Sequence, residues 1–428
     1  MKKLFVSVGI IAAGTASLQA AYAPDVNAMT ASKVWSVSGT LRGFYDSNYQ
    51  TTTQSKGSWG FEVSPEVDLN LALQQTELGV RYTYGMYYYQ ERENLGQYPI
   101  DQTHQADLWL DHAFNERWQA RATDSFVIGQ EPELIDPNTS VATRTDGNNV
   151  RNTANLSVNT LWTRLFSTQL AYANTFYDYQ NSGTTTANLN QGASLSALLN
   201  RIEQDISLDL QWEVAPETLA FIGGMFGWAD YTGNQPISFN TLTTQYYYSD
   251  TQNNNSYYVY VGIERTMLAN LSFNGRVGFQ YTDFYNSPES SSSTTPYADI
   301  SVIYTYLPGS YAQLGFTQTQ NATSQVQAQN TGQITMNQES STTYASINHK
   351  LTPKLLGTVI GRWQHSIYNG GAYNNLSDNY YSLGLNLSYT ITPHLSAEAG
   401  YNLDNVSSQI PGNDYTRNRV YMGITAAY

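Results

Sequence analysis

The sequence predicts an all-β protein: a transmembrane, antiparallel, up-and-down β-barrel of about 18 strands (16–20), with short periplasmic turns and long extracellular loops. Three observations predict it. Apolar and polar residues alternate with period two over segments of roughly ten to sixteen residues. The connectors between these segments alternate between short and long. The last segment ends on an aromatic, Tyr428.

Composition narrows the class first. The chain has 428 residues, no Cys, 35 Tyr and a formal charge of 20 − 34 = −14. Without Cys there is no disulfide framework, zinc ribbon or thiol nucleophile. An acidic chain with a pI near 4.7 repels phosphates, so no nucleic-acid partner is expected. Hydrophobic residues at 41% and aromatics at 13% speak against disorder. Mean hydropathy is −0.42, and past residue 20 no apolar run reaches the ~20 residues of a spanning helix.

The N-terminus reads as an export signal. Lys2 and Lys3 precede the apolar run Leu4 to Ala13, and Leu18-Gln19-Ala20 ends in the small residue a signal peptidase needs. The expected organisation is a signal peptide at 1–20, a short periplasmic segment at 21–33, and an outer-membrane barrel at 34–428.

Residues 58–73 carry the alternation without a register error. Trp59, Phe61, Val63, Pro65, Val67, Leu69, Leu71 and Leu73 oppose Gly60, Glu62, Ser64, Glu66, Asp68, Asn70 and Ala72. Ile206, Leu208, Leu210 and Trp212 oppose Asp205, Ser207, Asp209 and Gln211. A soluble sandwich also alternates, but its strands average ~5–6 residues, whereas a membrane strand needs ~9–11. Strand centres are expected near residues 40, 65, 82, 109, 123, 157, 172, 207, 224, 260, 277, 302, 315, 346, 360, 385, 400 and 422. The segments near 123, 172, 224 and 315 alternate poorly.

Short turns such as Ala215-Pro216-Glu217, Leu307-Pro308-Gly309, Thr352-Pro353-Lys354 and Thr392-Pro393-His394 fall between alternate segments. Long polar stretches, among them 130–150, 232–254 and 320–341, fall between the others. This sorting by parity puts both chain ends on the short-turn side, as a closed bacterial barrel requires. The last strand offers Val420, Met422, Ile424, Ala426 and Tyr428 as one stripe. That ending resembles the recognition strand read by the barrel-assembly machinery, an expected partner.

Several stretches resemble the putative β-barrel porin 2 family, which includes outer-membrane proteins found with exopolysaccharide loci. They are Gly43-Phe44-Tyr45-Asp46-Ser47-Asn48-Tyr49, and His104-Gln105-Ala106-Asp107-Leu108-Trp109-Leu110-Asp111 leading to Arg117 and Asp124, together with the Thr-Pro turns and the final aromatic. The resemblance implies an outer-membrane barrel and carries over no catalytic or binding residue.

Site chemistry is sparse. His104, His112, His349, His365 and His394 are scattered without metal-ligand spacing, so no metal is expected. Asp111 and His112 are strand neighbours and point to opposite faces. Asp146-Gly147-Asn148-Asn149 lacks a full Ca²⁺ ligand series and reads as a loop turn. There is no Gly-rich phosphate loop, and neither catalysis nor a cofactor is expected. The Tyr clusters at strand ends (Tyr84 to Tyr89, Tyr246 to Tyr248, Tyr257 to Tyr260, Tyr380 and Tyr381) read as an interfacial girdle. Alternation places Arg42, Glu62, Glu66, Asp68, Arg81, Asp107, Asp209, Glu264, Arg276 and Glu398 on the lumen side. The expectation is a passive, porin-like channel for small polar solutes, with a mildly acidic lumen favouring cations. It would sit in outer-membrane lipid as a monomer or homotrimer. The alternatives are a conduit associated with exopolysaccharide export and a non-conducting surface-binding or structural barrel.

Overall fold

The structure, a computed structural model, describes residues 33–129, 149–180, 184–187, 193–268, 270–287, 291–323 and 334–428. The expected signal peptide, all of the 21–33 segment except Lys33, and Asp146, Gly147 and Asn148 lie outside the described residues.

Eighteen strands form one closed antiparallel sheet. The first nine are β1 (Trp35–Asp46), β2 (Ser58–Ala72), β3 (Thr76–Tyr89), β4 (Ile100–Ala113), β5 (Trp118–Gly129), β6 (Asn149–Leu161), β7 (Phe166–Tyr179), β8 (Arg201–Ala215) and β9 (Thr218–Tyr231). A separate hairpin, β10 (Pro236–Asn240) with β11 (Gln245–Tyr248), stands in the following loop. The barrel resumes with β12 (Asn254–Leu268), β13 (Leu271–Phe284), β14 (Ser291–Leu307), β15 (Ser310–Asn321), β16 (Asn337–Thr352), β17 (Leu355–Asn369), β18 (Ser377–Thr392), β19 (Leu395–Ser408) and β20 (Tyr415–Ala427). Each strand pairs with the next, β9 pairs with β12, and β1 closes the ring on β20, with Leu41 opposite Ile424. Every expected strand centre falls inside a strand.

The burial pattern is the reverse of a soluble fold. Met422 is 70% exposed and Phe279 66%, whereas Asp46 is fully buried and Glu62 is 7% exposed. Leu and Val therefore face outward around a closed ring, and the polar stripe faces in. Two sheets pressed together would bury the apolar stripe instead. Closure leaves no free edge, which a bilayer demands.

The short turns share one end of the barrel. Leu307-Pro308-Gly309-Ser310 is typical: proline presets φ at the first corner, and Gly309 takes φ 76°, where a Cβ would be strained. At the other end the β14–β15 ladder stops at Ala298 opposite Gln318. Beyond it β15 leans inward over β14: the Gln320 amide donates to Gln280 Oε1 on β13 at 3.0 Å, and Ser293 Oγ donates to Gln320 Oε1 at 2.7 Å.

Connectors at that end fold rather than trail. After β3 comes helix α1 (Gln90–Asn94), and before β8 comes α2 (Leu195–Leu199), capped by the Ser194 side chain. Leu198, Leu199 and Ala197 of α2 pack with Ile237 of β10, Tyr177 and Tyr179 of β7, Phe284 of β13, and Ile334 and Met336 ahead of β16. This small apolar core draws together connectors from distant parts of the ring. Gln235 ties it down, accepting at Oε1 from the Thr184 amide at 2.8 Å and from the Ser196 hydroxyl at 3.3 Å.

Candidate functional site

The candidate site is the barrel interior. Side chains on alternate positions of every strand point there, so strand register decides its chemistry. Arg42, Glu62, Glu66, Asp68, Arg81, Asp107, Asp209, Glu264, Arg276 and Glu398 all occupy the face opposite the exposed apolar stripe.

The register brings several of them together. Arg42 stands directly opposite Glu62 and donates to it at 2.9 Å. It also donates to Glu398, reaching across Gly423 of β20. Arg81 pairs with Asp68 at 2.7 Å. Arg276 reaches Asp209 at 3.6 Å, and the Tyr260 hydroxyl donates to Asp209 at 2.6 Å. Glu66 accepts from Thr83 at 3.0 Å, and Asp107 accepts from Ser125 at 2.7 Å. Glu264 has no hydrogen-bond partner among the described residues.

Glycines open the room these side chains need. A Cβ on Gly79 would meet the Trp109 ring at 1.9 Å, and one on Gly400 would meet the Tyr421 ring at 2.2 Å. The aromatic rings thus lie flat on the inner wall over a glycine of the next strand. Arginines stack on these and neighbouring rings: Arg42 over Tyr421 at 5.4 Å, Arg276 over Phe221 at 5.1 Å, and Arg201 over Tyr177 at 4.0 Å.

The girdle reading of the Tyr clusters needs correction. Alternation splits each cluster between the two faces. Tyr89, Tyr260 and Tyr380 are buried on the inner wall, whereas Tyr257 and Tyr381 are exposed outside. Tyr246 to Tyr248 belong largely to the loop hairpin. Sequence reasoning also missed charges near the loop end: Asp46 with Arg417 at 2.6 Å and Arg419 at 3.2 Å, Arg92 with Asp101 at 2.5 Å, and Arg201 with Glu203 at 2.6 Å. Continuing the parity of the C-terminal stripe upward would have found Arg417 and Arg419. In the loop after β1, burial raises the Tyr49 hydroxyl above its usual range, and the Arg92 guanidinium lies over its ring.

The interior is uneven. Some inward residues, such as Arg276 on β13, Gln364 on β17, Asp404 on β19 and Glu62 on β2, are buried. On β3–β8 the inward residues Arg81, Thr83, Gln105, Asp107, Asp111, Arg121, Asn155, Ala173, Glu203 and Asp205 keep partial exposure. Water therefore reaches these positions of β3–β8. The inward carboxylates of β3–β8 include Asp107, Asp111, Glu203 and Asp205, and the inward cations there are Arg81, Arg121, Arg151 and Arg201.

Among the described residues no three His, Asp or Glu come within metal-binding reach of one another. Asp111 faces inward beside Arg121 at 3.8 Å, and His112 faces outward beside Thr76 at 2.8 Å. The final stripe, Val420, Met422, Ile424, Ala426 and Tyr428, is exposed on the outer face. The Tyr428 ring lies 5.8 Å from Trp35 and 6.0 Å from His394.

The model of the family described as "Putative beta-barrel porin 2" matches residues 36–428. No curated protein matches the sequence. Among solved structures the chain is similar to the outer membrane protein opdK from Pseudomonas aeruginosa, at 9% identity and TM-score 0.43, covering 92% of this chain and 99% of that one. It is similar to OccAB3 of Acinetobacter baumannii, at 10% identity and TM-score 0.44 with the same coverage. It is also similar to OccK11 of Pseudomonas aeruginosa, at 11% identity and TM-score 0.43, covering 92% of this chain and 96% of that one.

Proposed function

This chain belongs to the putative β-barrel porin 2 family and is an outer-membrane, porin-like barrel; from that premise we propose that it conducts small polar solutes passively along its β3–β8 wall, with a preference for cations. The observation that carries this reading is the uneven interior. Part of the interior is packed by stacked arginines, aromatics and paired acids, while inward residues of β3–β8 such as Arg81, Gln105, Asp107 and Asn155 keep partial exposure. Carboxylates outnumber guanidiniums on the open wall, which favours cation entry. Of the ten inward residues named from the sequence, Arg81, Asp107 and Asp209 stand on β3, β4 and β8, and Arg42, Glu62, Glu66, Asp68, Glu264, Arg276 and Glu398 stand on the rest of the ring.

The same reading takes residues 1–20 as the export signal, 21–33 as a periplasmic lead-in, and the stripe from Val420 to Tyr428 as the strand presented to the assembly machinery. The test is planar-bilayer recording of the refolded barrel under a KCl gradient. Stepwise currents and a reversal potential on the cation-selective side are expected. Asp107→Asn combined with Asp205→Asn should move that potential toward zero. A bilayer without current steps would defeat the channel. An anion-selective potential would defeat the role of the acidic wall.

A further inference from the structure

The outer surface carries a polar interruption on β5. Its lipid-facing positions are elsewhere mostly apolar, as Val259, Val261 and Ile263 on β12 and Leu385 and Leu387 on β18 show. On β5 the outward series reads Trp118, Ala120, Ala122, Asp124, Phe126, Ile128. Asp124 belongs to it by register: it stands opposite Leu108, which is 40% exposed, and shares a face with Phe126, 37% exposed. Trp118 marks the rim near the short turns. With about 2.5 Å of height per tilted strand residue, Asp124 lies roughly 15 Å above that ring, near the middle of an apolar band ~25 Å tall.

A carboxylate facing acyl chains at that depth is costly unless it is covered and bonded. Among the described residues its one donor is Asn152 Nδ2, at 3.0 Å. Toward β6 the surface beside it is low, because Ala154 stands opposite it and Ala122 precedes it on the same face. A neighbouring sheet can therefore approach closely. Further round the same face are Asn174 on β7 and Gln204 on β8. Gln204 Oε1 accepts from the Tyr172 hydroxyl at 2.9 Å. The amide nitrogens of Asn174 and Gln204 have no acceptor among the described residues. The face thus offers an acceptor at one side and amide donors at the other.

The angle between them selects the assembly. Eighteen strands place neighbours 360°/18, about 20°, apart around the ring. A closed threefold ring needs the two contact faces of each copy about 60° apart, or three strands. Asn174 lies two strands from Asp124 and Gln204 lies three. We propose that the outer face of β4–β8 is the contact between copies of this chain in a homotrimer. In it, Asp124 of one copy accepts amide protons from Asn174 and Gln204 of the next. The inference needs the barrel to lie in a membrane but not to conduct, so a failure of the bilayer recording leaves it standing.

The test is native mass spectrometry of the full chain released from lipid nanodiscs. The wild type is expected at three times the chain mass. Ala122→Trp and Asp124→Leu are each expected to lose the trimer. Ala345→Trp, on the exposed outer face of β16, is expected to keep it. The unheated gel shift of each variant reports whether the barrel has folded. A second measurement avoids bulky changes: photo-reactive benzoylphenylalanine in place of Ala122 should link copies of the chain in native outer membranes, and in place of Ala345 should not. A monomer or dimer, a trimer in folded Asp124→Leu protein, or cross-links from position 122 only to a different protein would overturn the proposal.

Discussion

Removing the Arg42 guanidinium should destabilise the barrel out of proportion to the size of the group. Arg42 lies between Glu62 and Glu398, and these side chains are all under 10% exposed. The three belong to β1, β2 and β19, so the cluster bridges the seam where the ring closes. Arg42→Ala leaves two carboxylates facing one another without a cation. Breaking a buried pair by deleting one partner costs about 3–5 kcal/mol, mostly the penalty of the charges left behind. Because one wall of the interior is watered, the lower end, ~3 kcal/mol, is expected. Gln at 398 removes one stranded charge, so Arg42→Ala/Glu398→Gln should regain more than half of the loss. The assay is urea unfolding of the refolded barrel in lipid vesicles, followed by tryptophan fluorescence and by the unheated gel shift. If Arg42→Ala unfolds within about 1 kcal/mol of wild type, the cluster is ornamental. If the double variant is no more stable than the single one, stranded charge is not the reason for the loss.

Two further outcomes follow from the loop core and the terminal strand. Leu198→Asp places a charge in the apolar cluster that joins α2 to the β10–β11 hairpin. It should loosen the outer mouth and raise single-channel conductance while leaving the barrel's unheated gel shift intact; unchanged conductance would mean the core does not narrow the path. Tyr428→Ala removes ring contacts with Trp35 and His394, worth about 0.5–1.5 kcal/mol each. It should slow the appearance of the heat-modifiable species in pulse-labelled outer membranes, and wild-type kinetics would exclude a part for that ring in assembly.

The barrel was legible in the sequence because lipid on one side and polar interior on the other impose opposite demands on successive residues. Residues 58–73 obey both, and the structure places 58–72 on β2 in the expected register. The segments near 123, 172 and 224 blurred for physical reasons. β5 turns Asp124 outward among alanines, β7 turns Ala171 and Ala173 inward, and β9 turns Phe221 and Met225 inward to pack on the wall. Periodicity records hydrophobicity, not whether an aromatic lies over a glycine of the next strand. The β10–β11 hairpin lies within the long polar stretch 232–254, and α2 lies in the connector before β8. Their apolar residues Leu198 and Ile237 gain meaning only from partners some forty to one hundred and forty positions away, such as Ile334. The charges of Asp46 and Arg417 keep the inward parity but lie at the ends of β1 and β20, away from the strand centres.

The meeting of Val37 with Tyr428, through backbone bonds of 2.9 and 3.2 Å, has a consequence for genetic rearrangement. The ring has a first strand only in the order of synthesis. A chain rejoined across this clasp and reopened at the Thr352–Lys354 turn would still describe the same hoop. What it would surrender is the terminal position of Tyr428, so such a permutant tests whether the shape of the hoop and its delivery draw on the same residues.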